Sequence, residues 1–461
     1  MSQILLDHDL IKKYDCPGPR YTSYPPANFF QSGFKVESFI DLLQQSNQQQ
    51  PRNLSFYFHV PFCPQLCNFC GCNSELMRNK ATTERYFEML KKEFVTVASH
   101  LDTTRRVSQV HWGGGTPNAV PARYIAGVME LVRAHFAFTP DAEVAMECNP
   151  AYMTLEQIDQ LAEMGFNRIS LGIQDFDLKA LSIIHRKPSK LAIEMVMEAL
   201  HKHKMQVNLD FVYGLPTQTV EKFQQTIDHA IALNPERIVT FSYAHVPWIK
   251  SAQKVLEQHI LPSAEEKLSL FHAAYERMTK AGYDAIGLDH FARPHDEMAQ
   301  ALHERTLHRN FMGYCTRTHS GQVYAFGVSS ITQLENAYVQ NNKNTDAYME
   351  IISQKGLAPE KGYVLTENDK VCRLVIEELM CNQFIDLDQI AVQCGLTYEQ
   401  LLAITTFSPD NLQPMIHDHL VTWSNHQLTV LPAGRMILRN VAMLFDPLLD
   451  NNSTMHYSRT V

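Results

Sequence analysis

Long apolar runs are missing from this chain of 461 residues. No stretch approaches the ~18 consecutive apolar residues of a membrane-spanning helix. Asp7 and Asp9 interrupt the start, where a secretory signal needs an apolar run of at least ~7 residues. The sequence therefore predicts a protein that is neither inserted in a membrane nor exported, and we expect it in the cytoplasm.

An excess of positive charge is missing as well. Forty Lys and Arg stand against 49 Asp and Glu, which gives a formal net charge of −9. Non-specific binding to nucleic acid or to an anionic membrane depends on excess positive charge, so neither partner is expected. Hydrophobic residues make up 45% of the chain, which is enough for a large core and excludes wholesale disorder.

Cysteine, by contrast, is concentrated in one place. Four of the ten cysteines fall within ten residues, at Cys63, Cys67, Cys70 and Cys72. Cytoplasmic thiols stay reduced, so a tight group indicates metal binding or catalysis rather than disulfides. The spacing Cys63-x3-Cys67-x2-Cys70 favours an iron–sulfur cluster with one open iron, with zinc and free core thiols as the alternatives.

Strands and helices alternate through the first two thirds of the chain. Strands are predicted at Leu54–His59, Val107–Trp112, Val144–Glu147, Arg168–Ile173, Val207–Val212, Ile238–Tyr243 and Asp284–Leu288. Amphipathic helices are predicted between them, at Thr82–Leu101, Ala122–Phe136, Leu155–Met164, Lys190–His203, Val220–Ala232 and Ala264–Ala281. This order predicts an α/β protein with six or seven units in a partial or full parallel β/α barrel.

Three segments are expected along the chain. Residues 1–36 are predicted to form an extended arm, because the prolines of CPGPRYTSYPP disfavour a helix. Residues 37–365 are predicted to form the barrel with its cluster and substrate site. Residues 366–461 are predicted to form a small, mainly helical domain with a β-hairpin, similar to a winged helix. No cluster of Lys or Arg accompanies that domain, so we expect a lid or scaffold rather than nucleic-acid binding.

The unusual residues follow the predicted strands. The cysteines come after the first strand, and Gly113-Gly114-Gly115-Thr116 comes after the second. Strand ends of a parallel barrel meet at one rim, where such folds build active sites. A glycine loop there lets a ligand approach the backbone closely. We therefore expect a small polar ligand between the open iron and the glycines.

Several motifs together resemble the oxygen-independent coproporphyrinogen III oxidases, a family of the radical S-adenosylmethionine superfamily. They are GPRYTSYP (18–25), HVPFCPQLCNFCGCN (59–73), HWGGGTP (111–117), GFNRISLGIQDF (165–176), YGLPTQT (213–219), DHFARP (289–294) and LHRNF (307–311). The cysteine spacing gives only the superfamily. The arm, Cys72 and LHRNF indicate the family, and the resemblance covers nearly the whole chain.

The resemblance implies an anaerobic reaction of haem biosynthesis. Two propionates of coproporphyrinogen III are decarboxylated to vinyl groups, giving protoporphyrinogen IX. It implies a [4Fe–4S] cluster on Cys63, Cys67 and Cys70 and two S-adenosylmethionine molecules, whose cleavage gives a 5′-deoxyadenosyl radical. An electron donor such as flavodoxin or ferredoxin and an electron acceptor are also needed. Two relatives remain as alternatives, a haem-degrading methyltransferase and a non-catalytic haem chaperone, and a monomer is the default.

The resemblance also implies the site residues. The first S-adenosylmethionine is expected at Tyr57, Phe69, Gly114, Glu147 and Ile331. The second is expected at Gly115, Thr116, Gln174, Arg186, Asp210 and Ala244. Tyr57 and Cys72 are the expected catalytic residues. The propionates need cations, for which Arg20, Arg293, His308 and Arg309 are candidates.

One strand end departs from the family pattern. The family's third strand commonly ends Glu-Val-Asp-Pro, whereas this chain has Glu147-Cys148-Asn149-Pro150. Any role of the family's acid is therefore in doubt at Asn149. Cys148 is expected to be a buried thiol.

Overall fold

Two compact units make up the chain in the computed structural model, which describes residues 8–317, 320–450, 457 and 459–460. The barrel unit comprises Gln31–Tyr283 and Thr318–Tyr363. The composite unit comprises Met1–Phe30, Asp284–Arg317 and Val364–Val461. The boundaries after residues 36 and 365, which the sequence predicts between functional segments, stay a prediction. The compact units group the residues differently, because the arm and Asp284–Arg317 belong with the C-terminal segment.

Parallel strands form the centre of the barrel unit. In chain order they are β1 (Leu54–Val60), β2 (Val107–Gly114), β3 (Phe138–Cys148), β4 (Arg168–Gln174), β5 (Gln206–Tyr213) and β6 (Arg237–Ser242). Each pairs in parallel with the next strand along the chain. Their ends therefore lie at one edge of the sheet. The predicted parallel β/α fold is confirmed.

Helices connect these strands. They are α1 (Lys80–Ala98), α2 (Ala122–His135), α3 (Leu155–Glu163), the short helix Leu178–Ile183, α4 (Ile193–Lys202), α5 (Val220–Ala232) and α6 (Ala264–Lys280). Local sequence sets their starts: the side chains of Asn79, Thr154, Thr219 and Ser263 each cap a helix N-terminus. Apolar residues at helical spacing, such as Phe223, Ile227 and Ala230 of α5, form the buried faces.

Further strands extend the sheet beyond β1. They are β7 (Gln322–Phe326), β8 (Ile331–Gln333), β9 (Ala337–Asn341) and β10 (Pro359–Val364), followed in the sheet order by Gln31–Ser32. The strand β7 is parallel to β1, whereas β8 is antiparallel to β7 and β9. Val36–Ser46 and Thr345–Lys355 are the remaining α-helices described in this unit. The sequence analysis did not predict β7 to β10.

The seventh predicted strand is wrong as a barrel strand. Asp284–Ile286 pairs antiparallel with His290–Ala292 and forms a hairpin in the composite unit. Gly287 follows the first strand with φ +57°, a left-handed conformation that glycine adopts without strain, and the chain reverses there. The strands β1 to β6 therefore follow one another in parallel, and β7 beside β1 is the seventh parallel strand of this sheet.

The composite unit is mainly helical. Its helices are His8–Tyr14, Glu297–His303, Glu367–Asn382, Leu387–Gln393, Tyr398–Thr405, Gln413–His417, Leu438–Met443 and Pro447–Asp450. The predicted hairpin is present as Val421–Ser424 and Gln427–Val430, and Phe384–Asp386 adds a third strand. Asn425 and His426 between the strands both have positive φ, as a tight hairpin turn requires. A further hairpin in this unit pairs Leu307–Asn310 with Gly313–Thr316.

The arm is only partly extended. Cys16–Pro26 lacks helix, as predicted, but His8–Tyr14 is an α-helix, which the prediction of an extended arm did not include. Leu10 and Tyr14, one helical turn apart, pack against the core of the C-terminal segment, and this burial stabilises the helix. Among the described helices of the chain, none is long and apolar enough to cross a membrane.

Candidate cofactor site

The loop that carries the cysteines is closed at its base. After β1, the residue pair Phe62–Cys63 aligns in parallel with Glu75–Leu76. The amide of Met77 donates to the carbonyl of Cys63 at 2.8 Å, and the amide of Glu75 donates to the carbonyl of Pro61 at 2.8 Å. Cys63, Cys67 and Cys70 are thereby presented from one short loop whose two ends are tied together.

Each of these three sulfurs has a hydrogen-bond donor. Thr116 Oγ1 donates to Cys63 Sγ at 3.2 Å, Arg186 Nη1 to Cys67 Sγ at 3.5 Å, and the amide of Cys72 to Cys70 Sγ at 3.4 Å. Such donors stabilise sulfur as the thiolate, the form that binds metal. Within the described ranges, no three His, Cys, Asp or Glu side chains surround a single ion position.

The glycine loop is bonded to the chain that enters the cysteine loop. The amide of Gly115 donates to the carbonyl of Val60 at 2.7 Å, and the amide of Thr116 donates to that of Phe62 at 3.0 Å. Gly114 has φ +113°, and a Cβ there would lie 2.6 Å from His59 Cε1. The neighbouring protein atoms therefore already require glycine at this position.

Glu147, at the end of β3, presents a carboxylate at the same edge. It accepts hydrogen bonds from His111 Nε2 at 3.1 Å and from the amide of Gly114 at 3.1 Å. Its side chain is still 45% exposed, so a ligand can reach it. The surrounding protein disfavours its charge, but these hydrogen bonds outweigh that effect and hold the pKa of Glu147 below its usual value.

The pKa of His111, the partner of Glu147, is shifted in the opposite direction. Burial lowers the pKa of His111, but its hydrogen bond to Glu147 and the carboxylate charge outweigh burial, and the pKa is raised overall. The imidazole ring also stacks on Tyr57, with ring centroids 6.0 Å apart. His111 therefore orients two residues assigned to the first cofactor site, although we did not single it out from the sequence.

His59 is a second residue that the sequence analysis missed. Its Nδ1 lies 3.0 Å from Tyr57 OH and its Nε2 lies 2.9 Å from the carbonyl of Asn73. The ring thus links β1 to the far end of the cysteine loop. Tyr57 and His59 are two residues apart on one strand and therefore share a face, which is a signal the sequence offers.

The residues assigned to the second S-adenosylmethionine lie on the parallel strands or in the loops that follow them. Asp210 on β5 accepts from Ser170 Oγ at 2.6 Å and from Asn208 Nδ2 at 2.7 Å. Arg186 donates to the carbonyl of Gly172 on β4 as well as to Cys67. Gln174 ends β4 with φ +72°, which turns the chain sharply.

Gln253 ties two of the predicted residues together. Its Nε2 donates to the carbonyl of Phe69 at 3.0 Å and lies 3.3 Å from that of Ala244, and its Oε1 accepts from the amide of Val246 at 2.7 Å. Gln253 is 1% exposed. It lies in the 3₁₀ segment Ser251–Gln258, and no local pattern in the sequence points to it.

Ile331 is not on β1 to β6 but on a strand at the other side of β1 in the sheet. It begins β8, which follows the end of β7 after the short loop 327–330. The strand β7 is parallel to β1 with Ala325 opposite Tyr57, so this loop lies at the same edge of the sheet as the other predicted residues.

Three further predicted residues have defined places. Cys72 is exposed, and its carbonyl accepts from Lys250 Nζ at 2.6 Å. Cys148 is buried, as expected. Asn149 Oδ1 accepts from the amide of Ala151 at 3.1 Å and caps the turn Pro150–Tyr152. Asp and Asn serve equally well in capping, so the departure from the family pattern leaves this local structure intact.

Comparison with known proteins agrees with this geometry. The Radical SAM superfamily profile matches residues 57–230, the part that contains the cysteine loop and β2 to β5. An oxygen-independent coproporphyrinogen III oxidase from Salmonella typhimurium is 38% identical over 469 residues, covering 100% of both chains. The chain belongs to this oxidase family. Radical SAM proteins carry a [4Fe–4S] cluster and use S-adenosylmethionine, and the three thiols with their hydrogen-bond donors fit the cluster.

Two more members of the oxidase family are similar over almost the whole length. The oxidase from Synechocystis is 36% identical and covers 98% of this chain and 97% of its own. The solved structure of coproporphyrinogen III oxidase from Escherichia coli, described as a radical SAM enzyme, has a TM-score of 0.89 and 36% identity. It covers 97% of this chain and 100% of its own, so the likeness includes both compact units.

The cations expected for the oxidase substrate lie in the composite unit. Burial opposes ionisation of Asp289, but His290, Arg309 and Arg20 outweigh it and lower the pKa of Asp289. Arg20 and Arg309 therefore lie near one carboxylate, although they are far apart in sequence. The Arg309 guanidinium lies over the Tyr314 ring, 4.9 Å from its centroid, and Arg309 Nε has no hydrogen-bond partner in the described chain.

His308 stays a predicted substrate-binding residue, but its surroundings disfavour a positive charge. Burial and the nearby charges of Arg317 and Arg373 lower the pKa of His308 to about 4. Its ring is therefore neutral near pH 7 and offers a hydrogen bond rather than a charge. Arg293 lies just beyond the hairpin strand His290–Ala292 and is half-buried.

Proposed function

We propose that this chain catalyses the anaerobic oxidative decarboxylation of coproporphyrinogen III to protoporphyrinogen IX. The similarity to coproporphyrinogen III oxidases over the full length of both chains supports this most strongly. Each reacting propionate, –CH₂–CH₂–COO⁻, becomes –CH=CH₂ and CO₂ with loss of one hydrogen atom and one electron. The hydrogen atom goes to a 5′-deoxyadenosyl radical, and the electron goes to an external acceptor.

We assign the cofactor chemistry to the barrel unit. When bound, the [4Fe–4S] cluster and S-adenosylmethionine supply the radical that takes the hydrogen atom. Cys63, Cys67 and Cys70 would hold the cluster. The Glu147 carboxylate is fixed by two donors yet remains exposed, so it would accept hydrogen bonds from the amino or hydroxyl groups of the first S-adenosylmethionine. Tyr57, Phe69, Gly114 and Ile331 would complete that site.

A second S-adenosylmethionine would be bound by residues on β4 and β5 and in the loops that follow β2, β4 and β6. Arg186 would pair with its carboxylate through N–H groups that Cys67 and Gly172 leave available, since a guanidinium has five donors. Asp210, oriented by Ser170 and Asn208, would accept from a polar group of the ligand. Gly115, Thr116, Gln174 and Ala244 would line this second site.

The composite unit would recognise the propionates. Arg309 and Arg20 supply positive charge near Asp289, and Arg309 Nε has its hydrogen-bond capacity unused in the described chain. Arg293 is the third candidate cation. His308 would act only as a neutral hydrogen-bonding group, for the reason given above.

Cys72 and Tyr57 would act during turnover rather than in holding iron. Cys72 is exposed beside the ligand Cys70, so its thiol is accessible to a substrate or a radical. Tyr57 is held by His59 and stacked on His111, which fixes the orientation of its phenol. We place the reaction in the cytoplasm, with a monomer as the unit that is active.

An anaerobic assay tests the function. Reconstituted protein is mixed with coproporphyrinogen III, S-adenosylmethionine, dithionite and an oxidant for the released electron. Protoporphyrinogen IX, CO₂ and 5′-deoxyadenosine should form together, with two CO₂ for each porphyrinogen. Equilibrium binding should saturate at two S-adenosylmethionine molecules for each chain.

Two results would contradict the proposal. Abundant 5′-deoxyadenosine without any change in coproporphyrinogen III would indicate a radical enzyme with another substrate. Tight haem binding without S-adenosylmethionine cleavage would indicate the chaperone relative. The Cys63→Ser variant serves as the control, because it should abolish every product.

A further inference from the structure

A basic segment lies against the loop that carries the cysteines. Residues 178–192 contain Lys179, His185, Arg186, Lys187 and Lys190, and they contain no Asp or Glu. This segment, hereafter the basic segment, stands out in a chain with a formal net charge of −9. Local charge of the opposite sign to the whole molecule concentrates the electrostatic field at one place on the surface.

Hydrogen bonds join the basic segment to the cysteine loop. The amide of Asn68 donates to the carbonyl of Ile184 at 2.9 Å, and Gln65 Nε2 donates to the carbonyl of His185 at 2.8 Å. Arg186 continues the contact by its hydrogen bond to Cys67 Sγ at 3.5 Å. The exposed cations that follow Arg186 are thus adjacent to a proposed iron ligand.

The cations of the basic segment are available to a partner. Lys187 and Lys190 are both exposed, and no described carboxylate forms an ion pair with either. Lys187 Nζ lies 6.0 Å from the centroid of the Tyr152 ring, a weak contact. Leu66 and Leu178, 36% and 67% exposed, add apolar surface. Exposed charge beside a small apolar area suits a transient protein complex, in which charge complementarity raises the association rate.

We propose that the basic segment is the docking surface for an acidic one-electron carrier protein. The inference rests on the proposed function, in which one electron leaves the carrier for each S-adenosylmethionine cleaved. That electron breaks the S–C5′ bond, giving methionine and the 5′-deoxyadenosyl radical, and the carrier is oxidised by one electron. Docking at Lys187 and Lys190 brings the carrier to the Cys67 side of the loop, which shortens the path of the electron.

Charge reversal with direct binding measurements tests the surface. The holoprotein is titrated with a flavodoxin of acidic surface, and Kd is measured by fluorescence anisotropy at low and at high salt. The double variant K187E/K190E is compared with K202E/K204E. The control changes the net charge by the same amount on exposed residues at the opposite ends of the strands.

We expect K187E/K190E to raise Kd by about 10-fold or more at low salt, because two attractive contacts become repulsive. The control should change Kd by less than about 2-fold, and high salt should remove most of the difference through screening. Equal effects of the two variants, or no effect of K187E/K190E, would overturn the proposal.

Dithionite separates this inference from the proposed function. It reduces the holoprotein without docking, so K187E/K190E and the wild type should form 5′-deoxyadenosine at equal rates with dithionite. A higher KM for coproporphyrinogen III in that assay would show that the basic segment binds substrate, and would overturn the docking role. Failure of the wild type to form product with dithionite would contradict the proposed function, whatever the carrier Kd.

Discussion

The barrel unit and the composite unit collect their proposed functional residues in different ways. In the barrel unit, the residues assigned to S-adenosylmethionine follow successive parallel strands, and Gly114 and Glu147 meet because β2 and β3 are neighbours. In the composite unit, Arg20, Asp289 and Arg309 come from two separate segments, which pack together with the C-terminal segment in one compact unit. The first arrangement follows from local topology, and the second requires long-range packing.

This difference predicts that substitutions in the two units will have different effects on ligand binding and on stability. A substitution at a strand end in the barrel unit should remove a ligand contact and leave the fold intact. A substitution at a residue that contacts the arm in the composite unit should act mainly through the packing that holds the arm. The Tyr21 and Tyr24 hydroxyls, for example, donate to the Asp446 carboxylate at 2.8 and 3.1 Å from within the core.

The cysteines should give the largest effect. Cys63→Ser, Cys67→Ser or Cys70→Ser should abolish cluster iron and lower product formation by about 1,000-fold or more, since a hard oxygen replaces a soft thiolate. Iron and sulfide analysis after anaerobic reconstitution measures this. Cys148→Ala, a change at a buried thiol, should keep its iron. Cys72→Ser should also keep iron and cleave S-adenosylmethionine, yet form little protoporphyrinogen; full product yield would make Cys72 a structural residue.

Gly114→Val should give the next largest effect, a loss of S-adenosylmethionine affinity. The new side chain would enter the space of the His59 ring and force a branched residue into φ +113°, so we expect S-adenosylmethionine affinity to fall by about 100-fold. Equilibrium binding with the reconstituted protein measures the loss. Gly71→Ala is the control, because nothing lies within 4 Å of a Cβ at Gly71. Wild-type affinity in Gly114→Val would show that this loop does not shape the cofactor site.

Asp446→Ala should destabilise the composite unit without touching the cofactor site. It leaves two buried tyrosine hydroxyls without their shared acceptor, which costs about 2–4 kcal/mol of unfolding free energy. Urea denaturation gives that value, and limited proteolysis near residues 16–26 reports release of the arm. Asp410→Ala, at an exposed position of the same unit, is the control. Retained arm protection in Asp446→Ala would mean that packing alone holds the arm.

Arg309→Gln should raise KM for coproporphyrinogen III by about 10-fold, through loss of one charge-assisted contact to a propionate. The rate of S-adenosylmethionine cleavage without substrate should not change. Arg305→Gln, an exposed arginine of the same unit, is the matched control. An unchanged KM together with a lowered melting temperature would assign Arg309 a structural role only.

The smallest effect should be the pH dependence of the pair His111–Glu147. The pKa of His111 is raised from 6.5, so its contribution to stability is complete below pH 6.5 and is lost as pH rises through the raised value. The pKa of Glu147 is lowered from 4.5, so its contribution is present above pH 4.5 and is lost as pH falls through the lowered value.

The pair should therefore stabilise the fold most between pH 4.5 and 6.5, where both groups are charged. Melting temperatures of the wild type and of His111→Gln, measured across pH, should differ most in that range and converge at higher pH. A difference that stays constant with pH would show that His111 acts by packing rather than by charge.

Much of the barrel unit was predictable because its information is local. Each strand of the arc is a short run of β-branched and aromatic residues, and the helices α1, α3, α5 and α6 each begin after a capping side chain. Cys63, Cys67 and Cys70 are close in sequence, so any fold of that loop keeps them together. The motif residues of the site follow strands, and parallel pairing is enough to bring them to one edge.

Other features were decided by tertiary contacts. Gln253 bridges Phe69 and Ala244 from a segment without a motif. Burial, together with the nearby charges of Arg317 and Arg373, lowers the pKa of His308. Asp284–Ile286 reads as a seventh barrel strand, but Gly287 reverses the chain into a hairpin. His8–Tyr14 is helical because Leu10 and Tyr14 bury against the C-terminal core. The sequence by itself determined the residue types and strand order of the cofactor site, since these depend on neighbours along the chain. Only the tertiary structure decided which distant side chains share a carboxylate, a hydrogen bond or a core, since those energies depend on burial and distance.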